Sequence, residues 1–248
     1  MQTLGIFGLG AFGQLMALNL KEHFKLLTYD PSLQAKDFAT QNQIAFEPIE
    51  VTASADIVIL ATQLERMSEV VRSIIPFLKR DALVIDVGSV KVITAQIMKK
   101  ELPDYVEIIG THPLFGPQSA KNGIAGLKIA ICPIRTTRLQ CITQFLQSTL
   151  KLNVIETTPE EHDREMAAAQ GLTHLIAKVL AEIEPLPQKM TTASYDLIMQ
   201  AVDMVRHDSM ELFLAICRDN PYSADIRQQF FTKAEKLQKL LDARNTRS

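Results

Sequence analysis

Cysteine is scarce in this chain: three among 248 residues, Cys132, Cys141 and Cys217. They are odd in number and scattered, with no metal-pair or redox-pair spacing. A disulfide framework and a thiolate metal centre are therefore not expected, and reduced thiols in a cytoplasm are the plain reading. Positive charge is not in excess either, with 26 Lys and Arg against 28 Asp and Glu, a net charge of −2. That excludes the basic footprint of a nucleic-acid or anionic-membrane binder. No apolar run approaches the roughly 20 residues that a membrane-spanning helix requires. Met1 stands directly before the first apolar run, so no signal or transit peptide is expected. Repeats and low-complexity tracts are absent. What is present is a hydrophobic fraction of 47%, enough for a sizeable core in one large domain or two modest ones.

The first part of the chain alternates short apolar runs with segments of helical periodicity. Strands are expected at Thr3–Phe7, Lys25–Tyr29, Asp56–Ala61, Ala82–Val87, Val106–Gly110, Lys128–Ile131 and Asn153–Ile155. Between them lie helical patterns such as Glu65–Leu78, with Met67, Val70, Val71, Ile74 and Ile75 on one stripe. Such alternation predicts a doubly wound parallel sheet covered on both faces. The pattern changes after Glu156. Thr158-Pro159-Glu160-Glu161 reads as a capping box that opens a helix reaching about Ile183, ended by Pro185 and Pro187. A second helix is expected over about Thr192–Arg206. Asp208-Ser209-Met210-Glu211 reads as another cap, and a last helix covers about Tyr222–Ala243 after the Asn220-Pro221 break. The expected architecture is α/β: an N-terminal Rossmann domain over residues 1–156, then an all-α domain over 157–248.

Gly8-Leu9-Gly10-Ala11-Phe12-Gly13 has the spacing G-x-G-x-x-G, directly after a strand and before a helical pattern. Its glycines serve a tight turn, close approach of backbone to a pyrophosphate, and helix–strand packing, while the helix N-terminus offers free amides to the phosphates. Asp30 ends the next strand. An acid there accepts hydrogen bonds from the adenosine ribose and repels a 2′-phosphate, so NAD is favoured over NADP. The competing reading is a glycine turn without a ligand. No Gly-Lys-Ser/Thr follows, which disfavours a kinase-type phosphate loop.

Ligands in such sheets lie beyond the carboxyl ends of the strands. Three of those ends carry polar residues: Thr62 and Gln63; Asp86-Val87-Gly88-Ser89-Val90-Lys91; and Thr111-His112-Pro113-Leu114-Phe115-Gly116. A dehydrogenase acting on an alcohol needs a group to take the hydroxyl proton, and histidine is suited to that near neutral pH. His112 is read as that base, in a loop just after its strand, with a backbone-satisfied loop histidine as the alternative. Ser89 is placed to hydrogen-bond the same hydroxyl or to orient the imidazole, and Thr62 and Ser89 to meet the cofactor. As plain structure, Ser89 and Lys91 read as helix-capping residues. His162 and His207, near helix starts, read as solvated or capping, and His23 as a surface residue.

The set formed by Gly8-x-Gly10-x-x-Gly13, Asp86-Val87-Gly88-Ser89-Val90-Lys91 and Thr111-His112-Pro113-x-Phe115-Gly116 resembles the prephenate/arogenate dehydrogenase family. Glu160-Glu161-His162-Asp163, Gln170-Gly171-Leu172-Thr173-His174 and Arg218-Asp219-Asn220-Pro221-Tyr222 extend the resemblance into the helical half. The resemblance implies an NAD-dependent oxidative decarboxylation of prephenate or arogenate to 4-hydroxyphenylpyruvate or tyrosine. His112 would draw the proton from the C4 hydroxyl as hydride leaves C4. It also implies that the helical half dimerises and that Gln170 and His174, one turn apart, meet the substrate. Family members usually place a helical-domain arginine on the substrate carboxylate. Thr191–Asp196 holds none, and Arg206 is the nearest later candidate. Gln63 stands where a proline is common, and no regulatory domain is expected after the last helix. Two other readings are weighed. One is a β-hydroxyacid dehydrogenase or pyrroline-carboxylate reductase type of enzyme, in which Lys178 would act. The other is a dinucleotide-binding regulatory protein without turnover.

Overall fold

The structure is a computed structural model that describes residues 1–183 and 185–245. It divides into two compact units, Met1–His162 and Asp163–Ser248. The first is built on strands β1 (Thr3–Phe7), β2 (Lys25–Tyr29), β3 (Ala45–Phe46), β4 (Ile57–Leu60), β5 (Leu83–Asp86), β6 (Glu107–Pro113), β7 (Lys128–Arg135) and β8 (Asn153–Glu156). Helices α1 (Ala11–Leu20), α2 (Leu33–Gln41), α3 (Ile49–Ala53), α4 (Met67–Ile74), α5 (Lys91–Glu101) and α6 (Leu139–Ser148) connect them. The strand order is β3-β2-β1-β4-β5-β6-β7-β8, whose first six strands follow the Rossmann order 3-2-1-4-5-6.

Alternation along the strands decides which helices cover which face. Val58, Leu60, Val84 and Ile108 point to the side filled by Met67, Val71, Ile74 and Met98 of α4 and α5. Leu4, Ile6 and Ile59 point to the side covered by Ala17, Leu20, Ala35 and Ala39 of α1 and α2. Each fully buried aliphatic side chain contributes about 1.5–3 kcal/mol. On the α1 side, a cavity of about 340 Å³ lined by Leu15, Ile59, Ile85 and Phe145 remains between α1 and α6.

Three expectations are corrected. The stretch from Glu65 to Leu78 is not one helix: α4 is flanked by 3₁₀ turns at Leu64–Arg66 and Ile75–Phe77. Pro76, with no amide hydrogen and a ring that crowds the preceding turn, does not continue an α-helix. The sheet is not wholly parallel, because β7 runs antiparallel to β6. The link from Leu114 to Leu127 contains no crossover helix, and a parallel return generally requires one. Finally, β6 extends through His112 and Pro113, which pair with Ala130 and Ile129. His112 is therefore a strand residue, held by the ladder rather than by a loop. The register shifts between Ile108 and Ile109, where Pro133 has no amide to donate.

The second unit is helical. Helix α7 (Pro159–Glu182) begins in a capping box, the Glu161 amide donating to Thr158 Oγ1 at 3.2 Å and the Thr158 amide to Glu161 Oε2 at 3.5 Å. Then come α8 (Ala193–Val205), capped by Thr192, and α9 (Met210–Leu214), capped by Ser209. A π-helical turn over Ala215–Asp219 and α10 (Ser223–Asn245) complete it. Leu175, Ile216 and Cys217 form a small core with Leu212 and Phe213. Ile176, Val179, Leu197, Ile198, Leu240 and Leu241 are exposed. Among the described residues no helix is long and apolar enough to cross a membrane, and no cluster of His, Cys, Asp and Glu could hold a metal ion.

Candidate active site

The glycine turn between β1 and α1 is sterically fixed. Gly8 has φ +103°, and a Cβ there would lie 2.3 Å from the Ala61 carbonyl oxygen. A Cβ on Gly13 would lie 2.0 Å from the Gly8 carbonyl oxygen. The first and third glycines therefore serve the turn and the helix–strand contact. Gly10 differs, since a Cβ there would meet nothing within 4 Å. The space beside Gly10 is open, and Gly10 is the N-cap residue of α1, with no side-chain cap bond. That combination is a cradle for an anion: backbone amides at a helix N-terminus, approachable because the residue in front of them lacks a side chain. The Leu9 amide donates to Asp30 Oδ2 and the Ser32 amide to Asp30 Oδ1, both at 2.8 Å. Asp30 thus ties the ends of β1 and β2 together. A carboxylate has about four lone-pair positions, so acceptor capacity for a ribose remains. Phe12, in the first turn of α1, stacks at a tilt on Phe115 beyond β6, with centroids 6.2 Å apart.

A buried ion pair builds the next wall. Asp86 and Lys91 are both fully buried and joined directly. The Lys91 ammonium also donates to the Thr111 carbonyl at 2.7 Å. Asp86 accepts from the Gly88 amide at 2.8 Å and from Thr94 Oγ1 at 3.0 Å, while Thr111 Oγ1 donates to the Asp86 carbonyl at 2.9 Å. Gly110 leaves room for the pair, since its missing Cβ would stand 3.5 Å from both Asp86 Oδ2 and Lys91 Cδ. Lys91 is therefore a clamp across the ends of β5 and β6, not a capping residue. Ser89 lies half-buried in the loop that this clamp fixes, and Thr62 lies beyond the end of β4.

His112 follows Thr111 on the clamped strand and is 4% exposed. Its Nδ1 lies 2.8 Å from Nε2 of His162, the rings meeting edge to face. His162 is also 4% exposed, so it is neither solvated nor a cap, and among the described residues it is His162, not Ser89, that the His112 ring bonds. Burial, reinforced by His162 and then by the Lys91 ammonium, holds the His112 pKa well below its ordinary value of 6.5. The ring is neutral at physiological pH, the state a proton acceptor requires. The signal for His162 was available in the sequence. It lies one helical turn before Met166, on the side of α7 that buries Ala167, and a polar side chain on an inward stripe is informative.

In the helical unit, His174 Nδ1 faces the Gln170 carbonyl at 2.9 Å and its Nε2 faces Asp208 Oδ2 at 3.0 Å. The Gln170 side-chain oxygen is buried without a hydrogen-bond partner among the described residues, an acceptor left open to a ligand donor. Arg206 Nε bonds Asp203 at 3.1 Å at the end of α8. Lys178 is 45% exposed beside Glu182 at 3.8 Å. His23 and His207 are exposed.

Comparison with known proteins supplies the lineage. Arogenate dehydrogenase 2 of Arabidopsis thaliana is 29% identical, over 97% of this chain and 70% of its own length. Arogenate dehydrogenase 1 of the same plant is 27% identical, over 97% of this chain and 39% of its own. This chain thus spans well under half of that longer relative. The prephenate dehydrogenase of Aquifex aeolicus, solved with hydroxyphenyl propionate and NAD+, superposes with a TM-score of 0.76 over 100% of this chain and 93% of that one, at 20% identity. It has the same fold. The family model for the nucleotide-binding domain of prephenate dehydrogenase matches residues 16–155, more than half of the chain. With that match laid over the Rossmann unit and its clamped histidine strand, the chain belongs to the prephenate dehydrogenase family.

Proposed function

We propose that the protein is an NAD-dependent dehydrogenase that oxidises and decarboxylates prephenate or arogenate, giving 4-hydroxyphenylpyruvate or tyrosine. The observation that carries this reading is His112: a buried, neutral imidazole held on a rigid strand end in the same unit as the dinucleotide cradle. In this reading residues 1–156 hold the cofactor and residues 157–248 serve substrate contact and dimerisation. The Gly8–Gly13 turn and the α1 amides would hold the pyrophosphate, Asp30 the adenosine ribose, and Thr62 and Ser89 the nicotinamide half. When bound, NAD supplies the acceptor for the hydride that leaves C4.

His112 takes the C4 hydroxyl proton. The O–H bond breaks, an N–H bond forms, and the oxygen's electron pair becomes the C=O bond as the C4–H pair departs. The C1–carboxylate bond then breaks and its electrons enter the ring, releasing carbon dioxide. The oxygen regains a proton from His112 as the ring becomes aromatic. A positioned base of this kind is worth roughly 10²–10⁴-fold. Gln170, His174 and Arg206 are assigned to substrate contact, with the open Gln170 oxygen supporting the first of these.

The test is absorbance of reduced nicotinamide with NAD or NADP and either substrate, on wild type and on His112→Asn. A rise with wild type, reduced at least 10²-fold in the variant while NAD binding persists, is the expected result. No rise in any of the four mixtures, from folded protein that binds NAD, sinks the reading. The exposed Ile176, Val179, Leu197 and Ile198 support a homodimer through the helical unit; a monomer in sedimentation equilibrium refutes that part. The free thiols suit a reducing compartment, and we place the protein in the cytoplasm. A disulfide in protein recovered from cells would overturn that placement.

A further inference from the structure

A neutral imidazole bears one bare nitrogen and one N–H, and a general base works only if the bare nitrogen faces the proton to be taken. Geometry on β6 restricts how His112 meets this requirement. Its backbone is paired with Ala130, and its neighbour Thr111 is pinned through its carbonyl by Lys91. The strand end is thereby held, and His112 Nδ1 faces the His162 ring. A nitrogen–nitrogen contact of 2.8 Å is a hydrogen bond with one proton between two rings. Only one of the two orders leaves His112 Nε2 bare.

We infer that His162 is the positioning residue of this site, its Nε2 accepting from His112 Nδ1–H and so fixing His112 as the tautomer whose Nε2 takes a proton. The contact itself is read from the geometry, and the choice between its two proton orders rests on the dehydrogenase reading. The Lys91 ammonium, joined to Asp86 and bonded to the carbonyl of the preceding Thr111, opposes a resting cation on the His112 ring. When His112 Nε2 gains the hydroxyl proton, the bond to His162 becomes charge-assisted. Such bonds are about twice as strong as neutral ones, so the contact tightens at the moment of proton transfer. His162 touches neither hydroxyl nor dinucleotide in this scheme and acts only through His112.

The chain has five histidines, few enough for nitrogen-15 NMR of the rings to be assigned by substitution. In substrate-free wild type, His112 should carry its proton on Nδ1. In His162→Leu that proton should move to Nε2, the form free imidazoles favour. His162→Leu should lose roughly 10²-fold in kcat with little change in KM or NAD affinity. His162→Gln, whose amide oxygen can accept in place of Nε2, should recover at least about tenfold of that loss. A wild-type spectrum with His112 protonated on Nε2 overturns the inference without any variant. So does a Gln variant no better than a folded Leu variant. An Nδ1-protonated His112 in protein that turns over no substrate supports the tautomer assignment and refutes the dehydrogenase reading instead.

Discussion

Replacing Lys91 by methionine tests the clamp that holds the histidine strand. The side chain is fully buried, so methionine fills much of the same volume and the principal change is loss of the ammonium. Asp86 is then a buried carboxylate that keeps only the Gly88 amide and the Thr94 hydroxyl as named donors, and the Thr111 carbonyl loses its bond to Nζ. Breaking one partner of a buried pair costs about 3–5 kcal/mol. The two surviving donors put this case near 3 kcal/mol, a fall of roughly 6–12 °C in Tm for a protein of this size. The second half of the argument is the double variant Lys91→Met with Asp86→Asn. It removes the stranded charge while the amide oxygen can still accept from Gly88 and the amide NH2, in the place of Oδ2, can donate to the Thr94 hydroxyl, so it should recover at least half of the loss. Urea and thermal unfolding followed by circular dichroism read both quantities. A single variant within about 1 kcal/mol of wild type, or a double variant as damaged as the sum of its singles, would refute the view that the pair acts as a unit.

Three further expectations concern His112 and Asp30. Because the His112 pKa is held below 6.5, kcat/KM should stay level as pH falls to that value and decline only beneath it; an acid limb centred at or above pH 7 contradicts the assignment. The stability sign agrees: the unfolded chain takes up a proton near 6.5 while the buried ring resists, so stability is full above that pH and declines below it. His112→Asn should flatten that slope in denaturant titrations between about pH 6.5 and 5. Asp30→Ser should raise NADP use relative to NAD, with some loss of stability because the Leu9 and Ser32 amides lose a carboxylate acceptor. An unchanged cofactor ratio would show that Asp30 does not read the ribose.

Local pattern determined much of this protein without reference to a fold. β1 and β2 have the boundaries that apolar alternation predicts, and the Thr158 capping box starts α7 where expected. The glycine turn is legible because steric demands on backbone are written in residue type: Gly8 and Gly13 are places where a Cβ collides. His112 is legible as a polar residue at the end of an apolar strand. What local pattern does not carry is which distant groups share a buried volume. The antiparallel β7 depends on how the Leu114–Leu127 connection returns, and β3 is only two residues long, too short for a period to show. Lys91 reads as an ordinary helix-start residue until β5 and β6 pair and close around it. His162 reads as a helix-start histidine until α7 brings it 2.8 Å from a ring fifty positions earlier in the chain. Chemistry-bearing residues could be named from sequence because their types are rare at strand ends. Their protonation, burial and partners were decided only by the tertiary structure, because desolvation and hydrogen bonding belong to the packed volume and not to the chain order.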